Sequence, residues 1–155
     1  MKALDLSILQ RHNFKHTDFI VSDTAREKGI DNNVYCPDVL ANLNRTADKA
    51  QEVRSFLGCP VVPSSFYRCL TLNRAVDSGD TSQHLKGQAG DITCPKFGTP
   101  EEIFYALKKS GIVFDQVLME GSWIHFSIRE EGKNRNQFAF YELNSKGKRE
   151  FKILN

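Results

Sequence analysis

An α+β fold, with helices packed on one face of a mainly antiparallel sheet, is predicted by three stretches of this sequence. Between Pro37 and Gly58 the residues Val39, Leu40, Leu43, Ala47, Ala50 and Val53 recur at helical spacing. Residues 122–128 alternate apolar and polar side chains after the turn at Gly121-Ser122, residues 114–120 read as the strand before that turn, and residues 137–143 and 150–154 read as strands around Asn144-Ser-Lys-Gly147. A chain of 155 residues that is 40% hydrophobic is long enough to bury a core, and a single domain over 1–155 is expected.

In chain order, residues 1–15 read as an irregular arm running through Asn13-Phe14. A short helix starts near Ser22 and stops at Gly29. Pro37 then opens the long helix and Gly58 closes it, so its apolar stripe is core. Pro60-Val-Val-Pro63 reads as a strand leading into Ser64-Ser-Phe-Tyr-Arg68, and residues 70–76 as a short helix or turn. Asp77-Ser-Gly-Asp-Thr81 is a polar loop, and Asp91 opens a strand through Ile92-Thr93. Thr99-Pro-Glu-Glu102 combines an N-cap, a first-turn proline and a capping-box glutamate; that helix ends at Lys108-Lys109 before Gly111, with Ile103, Phe104 and Leu107 as its buried face. Gly121-Ser122 is a two-residue turn of the Gly-X kind, which sets Glu120 opposite Trp123, Leu118 opposite His125, and Gln116 opposite Ser127. A polar loop, 130–136, precedes the last two strands.

Charge and composition exclude several classes of function. The net charge of +2 comes from interspersed residues without the basic stripe of a nucleic-acid binder, so nucleic acid is not an expected partner. Residues 1–15 carry charges throughout and lack an apolar signal core, and no apolar run reaches membrane-spanning length. The expectation is a monomer made in the cytoplasm without a signal peptide and with no membrane span. Cys36, Cys59, Cys69 and Cys94 include no Cys-x-x-Cys pair, so they read as reduced thiols. His12 and His16 have no carboxylate or cysteine at ligand spacing and read as solvated residues.

The chemistry concentrates in Ser82-Gln-His-Leu-Lys-Gly-Gln-Ala-Gly-Asp91. Gly87 and Gly90 disfavour a helix there, by about 1 kcal/mol each relative to alanine, so the stretch reads as a loop entering a strand. His84 on the loop and Asp91 at the strand edge can then converge on one ion. A catalytic zinc needs three protein groups and an open position, and His125 supplies the third from the polar face of Ser122-Trp-Ile-His-Phe-Ser-Ile128. Glu120 falls diagonally beside His125, with Cβ atoms about 7 Å apart, a separation suited to a base acting on a zinc-bound water. Taken singly, each histidine reads equally as a hydrogen-bonded core residue and Asp91 as a turn residue; together they read as a zinc site on the sheet face opposite the helices.

Ser-x-His-x-x-Gly-x-Ala-x-Asp followed by Trp-x-His-x-Ser resembles the signature of the M15 zinc peptidases, the family of D-Ala-D-Ala carboxypeptidases with the hedgehog-type fold. Asn13-Phe14, residues 22–32, Phe66-Tyr67-Arg68, Leu72-Asn73 and Phe114-Asp115-Gln116 are similar to small single-domain members from phages and prophages. The resemblance implies that His84, Asp91 and His125 bind Zn2+, that Glu120 is the general base, and that Arg68 holds a substrate carboxylate; a surface ion pair is the other reading of Arg68. Many members place the base three residues before the last histidine, where this chain has Ser122; alanine is frequent at the position of Gly90 and serine at that of Cys69. Trp123, Ser82 and Gln116 are assigned to the substrate cleft, with core packing the alternative for Trp123 and a supporting role for Ser82 and Ser127. The implied substrate is a peptidoglycan stem or cross-link peptide containing D-amino acids, reached after release from the cell or from within a phage particle. A zinc-binding module without activity and a virion structural component are the alternative functions.

Overall fold

The computed structural model describes residues 1–154. Among them are the helices α1 (Asp23–Lys28), α2 (Pro37–Leu57), α3 (Leu70–Ala75) and α4 (Pro100–Lys109), and the strands β1 (Val62–Ser65), β2 (Ala89–Thr93), β3 (Gln116–Glu120), β4 (Trp123–Ser127), β5 (Gln137–Leu143) and β6 (Arg149–Ile153). The strands form one mixed sheet in the order β1-β2-β4-β3-β5-β6. Neighbours are antiparallel except β3 and β5, which run parallel. The parallel pair follows from β4 lying inside the sheet: the chain leaving β4 passes over the start of β3, where the Asn136 and Gln137 N–H groups donate to the carbonyls of Phe114 and Asp115 and seat β5 beside β3.

Local chemistry sets most boundaries. Ser22 Oγ accepts from the Ala25 N–H, and Gly29 closes α1 at φ 64°. Pro37 occupies the first turn of α2 and Gly58 ends it at φ 68°. Thr99 and Glu102 form the reciprocal capping box of α4. The hairpin register is the one that the two-residue turn dictates, with Glu120 opposite Trp123 and Leu118 opposite His125.

Some elements sit differently from expectation, each for a physical reason. The strand expected over residues 60–63 begins at Val62 instead, and Pro63 is tolerated because β1 is an edge strand with a register shift between Pro63 and Ser65. The stretch read as a loop around His84 is a single 3-10 turn, Gln83–Lys86, capped by Ser82 and closed by Gly87 at φ 73°. β2 starts at Ala89 rather than Asp91, because Gly90 lies flat against the Phe66 ring and continues the ladder. Residues 1–19 have little regular structure beyond two 3-10 turns, yet Leu9, Phe14 and Phe19 are buried in the core.

One apolar cluster joins Ile92, Val117, Ile124, Phe126 and Phe138 of the sheet to Leu43, Ala47, Ala50 and Val53 of α2 and Ile103, Phe104 and Leu107 of α4. Edge-on aromatic contacts run through it from Phe19 to Phe66 (5.0 Å), Phe126 (5.9 Å), Phe114 (6.0 Å) and Phe138 (6.2 Å). Since side chains alternate across a strand, this packing sends Asp91, Leu118, Glu120 and His125 to the opposite face.

Gly90 tests that packing. A Cβ at this position would collide with the Phe66 ring, which is fully buried and cannot swing away. Gly90→Ala should lower stability by about 1–3 kcal/mol, as overpacking does, and trimming the ring in Phe66→Leu should make the same alanine cheaper. Thermal denaturation of the two single variants and the double checks this; an unchanged melting temperature in Gly90→Ala would show that the contact is not tight.

Candidate metal centre and its cleft

Asp91 and His125 are direct cross-strand partners in β2 and β4, so their side chains leave the sheet together. Asp91 Oδ1 lies 3.0 Å from His125 Nδ1 and 3.3 Å from His84 Nε2. His84 arrives from the 3-10 turn, where its Nδ1 is 2.6 Å from the Phe66 carbonyl. That carbonyl can only accept, so Nδ1 carries the proton and Nε2 presents a bare lone pair to the site. The two imidazole rings stand 5.1 Å apart at 63°, and one potential ligand atom from each of His84, Asp91 and His125 lies within 4.8 Å of the others.

The turn is pinned from several sides. Arg68 N–H donates to the His84 carbonyl (3.1 Å), Thr46 Oγ1 to the Gly87 carbonyl (2.7 Å), and Asn42 Nδ2 to the Lys86 carbonyl (2.8 Å). Gly87 has no Cβ where one would press on Leu43 Cγ and the Val39 carbonyl at 2.9 Å, so α2 approaches closely and holds the histidine in place.

The three side chains are at most 11% exposed. Burial holds the His84 imidazole below its ordinary pKa, in the neutral form. Burial pushes the Asp91 carboxyl up, but the two imidazoles beside it, His84 at 3.3 Å and His125 at 3.0 Å, outweigh it and keep Asp91 well below the usual carboxylate range. A neutral imidazole beside an ionised carboxylate is the protonation pattern a metal ion requires. His84 Nε2 is buried without a hydrogen-bond partner while facing a carboxylate oxygen, an arrangement that a cation between them satisfies. The donor set of two imidazoles and one carboxylate suits zinc with an open position.

All the residues expected at the site line one cleft of about 870 Å³: His84, Asp91, His125, Glu120, Arg68, Trp123, Ser82 and Gln116. Glu120 is half-buried, and burial raises its pKa above the ordinary glutamate value, opposed by His125, Arg149 and Arg68. Arg68 is also half-buried, makes no salt bridge among the described residues, and leaves its Nε without a partner. Burial lowers its pKa, with Asp91 and Glu120 acting in the other direction. Trp123 is 36% exposed on the cleft wall rather than packed in the core. Ser82 Oγ accepts from the His84 N–H, and Gln116 Nε2 donates to Gln137 Oε1 at 2.7 Å, so each also braces its own surroundings. Glu130 pairs with Lys133 at 3.0 Å, whereas His12 and His16 are exposed and belong to no metal-sized group among the described residues.

Sequence reasoning assigned no role to a second polar cluster on the same cleft. Asp115 is fully buried and bound by Gln83, Arg129 and Arg135. Tyr141 and Arg149 line the cleft near Glu120 and Trp123, the guanidinium 4.2 Å from the ring centroid. Arg129 follows His125 by four residues and was accessible to the same alternation argument; the convergence of Arg135 and Arg149 depends on the fold.

A buried His-Asp-His group beneath an open cleft, with a glutamate on the adjoining strand, has the composition of a metal-dependent hydrolase site. Residues 12–127 match the family model described as Peptidase M15. The chain belongs to this peptidase family, whose members are generally zinc-dependent. Among curated proteins nothing matches the sequence.

The protonation pattern gives a direct test. In the metal-free protein, an NMR titration should find the His84 ring still neutral when pH has fallen past 6.5, the ordinary histidine value. The unfolded chain takes up a proton there and the folded one does not, so metal-free stability should decline as pH drops below about 6.5. A His84 that titrates at or above 6.5 would contradict the buried, neutral assignment.

Proposed function

We propose that this protein is a zinc-dependent peptidase that cleaves peptidoglycan stem or cross-link peptides containing D-amino acids. The observation that carries the reading is the orphaned, buried Nε2 of His84, beside Asp91 and His125 in a cleft that also holds Glu120 and Arg68, which has no ion-pair partner among the described residues. His84, Asp91 and His125 are the metal ligands in this reading. When bound there, zinc lowers the pKa of a coordinated water and polarises the scissile carbonyl.

The protein's own groups do the rest. Glu120, raised in pKa and turned toward the same face as His125, takes the proton of the attacking water and delivers it to the leaving amine. Arg68 presents its guanidinium fork to a substrate carboxylate, which replaces the charge partner it otherwise lacks. Trp123, with Ser82 and Gln116, walls the cleft against the peptide. The peptidoglycan substrate is carried by the resemblance of the His84–Asp91 and Trp123–Ser127 motifs. No helix among the described residues is long and apolar enough to cross a membrane; action on the wall after release from the cell, or from a phage particle, completes the reading.

Purified protein should hold about one zinc per chain by metal analysis, and His84→Ala should lose it. Unchanged zinc in that variant would remove His84 from the site. Glu120→Gln should keep fold and zinc while release of amino groups from cell-wall sacculi drops about 100-fold to 10,000-fold. Zinc bound by a wild-type chain that leaves sacculi intact would favour a binding module instead. A base works only when deprotonated, so kcat/KM should fall on the acid side of the pH profile, and that limb should be lost from the residual activity of Glu120→Gln; an acid limb unchanged in that variant would exclude Glu120 as that base. Arg68→Lys should impair turnover of peptides with a free carboxylate and spare amidated ones, because lysine lacks the fork; equal losses on both would make Arg68 a structural residue.

A further inference from the structure

Asp115 lies just ahead of β3 and is fully buried, yet it draws two guanidinium groups to the cleft wall. It accepts from the Arg135 backbone N–H (3.0 Å), Arg135 Nε (3.0 Å) and Nη2 (2.8 Å), and Gln83 Nε2 (3.1 Å), and Arg129 Nε lies 3.2 Å away. Arg135 and Gln83 already satisfy the carboxylate. Arg129 adds one contact through Nε, and its terminal nitrogens make no protein hydrogen bond among the described residues. One carboxylate against two guanidiniums leaves a net positive charge, and both arginine side chains stay accessible, at 44% and 40%. Lys86 and Lys133 line the same wall, Lys133 paired with Glu130.

This cationic wall is separate from Arg68. The acidic groups acting on Arg68 are Asp91 and Glu120, in the His125 and Trp123 rows of the sheet. Arg129 instead follows the end of β4 by two residues and lines the same cleft as His125, beyond Ser127 and on the other side of the His125 row from Trp123. A peptide laid along β4 with its scissile bond at the metal centre meets Arg129 and Arg135 within a few residues.

We propose that Arg129 and Arg135, held rigid by Asp115, form a second carboxylate subsite that selects peptides bearing an acidic group on the far side of the scissile bond from the carboxylate at Arg68. This rests on the peptidase reading of the cleft. The buried aspartate fixes the two forks before substrate arrives, so little side-chain freedom is lost on binding.

The chain has a single tryptophan, Trp123, and it lines the cleft, so its fluorescence reports occupancy. Zinc-loaded Glu120→Gln protein, whose turnover is slowed enough for binding to be read before hydrolysis, is titrated with tetrapeptides of D- and L-residues that keep a free C-terminal carboxyl and differ only in glutamate for glutamine at one position at a time. At one position glutamate should bind roughly tenfold tighter than glutamine, as a charge-assisted contact to a partly exposed group provides, and the preference should weaken with salt. Arg129→Gln should abolish the preference, and Arg129→Lys should keep part of it. Because Arg135 still satisfies Asp115 in Arg129→Gln, this variant should melt near the parent temperature; Arg135→Gln is added where its melting shows it folded. Peptides that bind with no preference for glutamate at any position, or a preference that survives Arg129→Gln, would overturn the subsite. Failure of every peptide to bind would instead count against the peptide cleft itself, and the subsite would fall with it.

Discussion

The pairing of Asp91 with His125 across β2 and β4 is the constraint on which the rest of the site depends. Two side chains on adjacent strands can share a metal-sized space only in one register, since a slip of one residue would turn either of them into the core. The core enforces that register from behind, where Ile92, Ile124 and Phe126 are locked into the cluster with α2 and α4. Gly90 contributes as the residue between Ala89 and Asp91 that lets Phe66 lie flat against β2. Phe66 in turn offers the carbonyl that orients His84. Packing on one face of the sheet and chemistry on the other are thus joined through a single phenylalanine.

The cleft is organised by where buried charge finds partners. Asp91 is surrounded by imidazoles and Asp115 by arginines, so both buried carboxylates are held in the ionised form. Glu120 lies between these regimes, half-buried and without a hydrogen bond among the described residues, and its pKa moves the opposite way. The surroundings of the cleft therefore hold two carboxylates as fixed anions and leave a third, on the strand beside His125, easier to protonate.

Much of this was legible in the residues because it is local. Ser22, Gly29, Pro37, Gly58 and the Thr99–Glu102 box mark helix ends within a few positions, and Gly121-Ser122 set the register that placed Glu120 near His125. The grouping of His84, Asp91 and His125 was also legible, since the two glycines favoured a loop entering a strand and the alternation after Ser122 put His125 on the polar face. What escaped was nonlocal. The parallel pairing of β3 with β5 depends on β4 having already inserted beside β2, which no short-range pattern records. Asp115 binds residues 32, 14 and 20 positions away, and a lone aspartate before a strand carries no mark of such partners. The turn at His84 was read as a loop because its two glycines argue against an α-helix without distinguishing a single 3-10 turn.

The most direct measurement is X-ray absorption at the zinc edge of the loaded protein, which reports the atoms around the ion independently of any substrate. A first shell of two imidazole nitrogens and oxygen donors, unaltered in Glu120→Gln, is the result that His84, Asp91 and His125 predict. Sulfur in that shell would mean that one of the free cysteines, Cys36, Cys59, Cys69 or Cys94, holds the metal and that the cross-strand pair does something else.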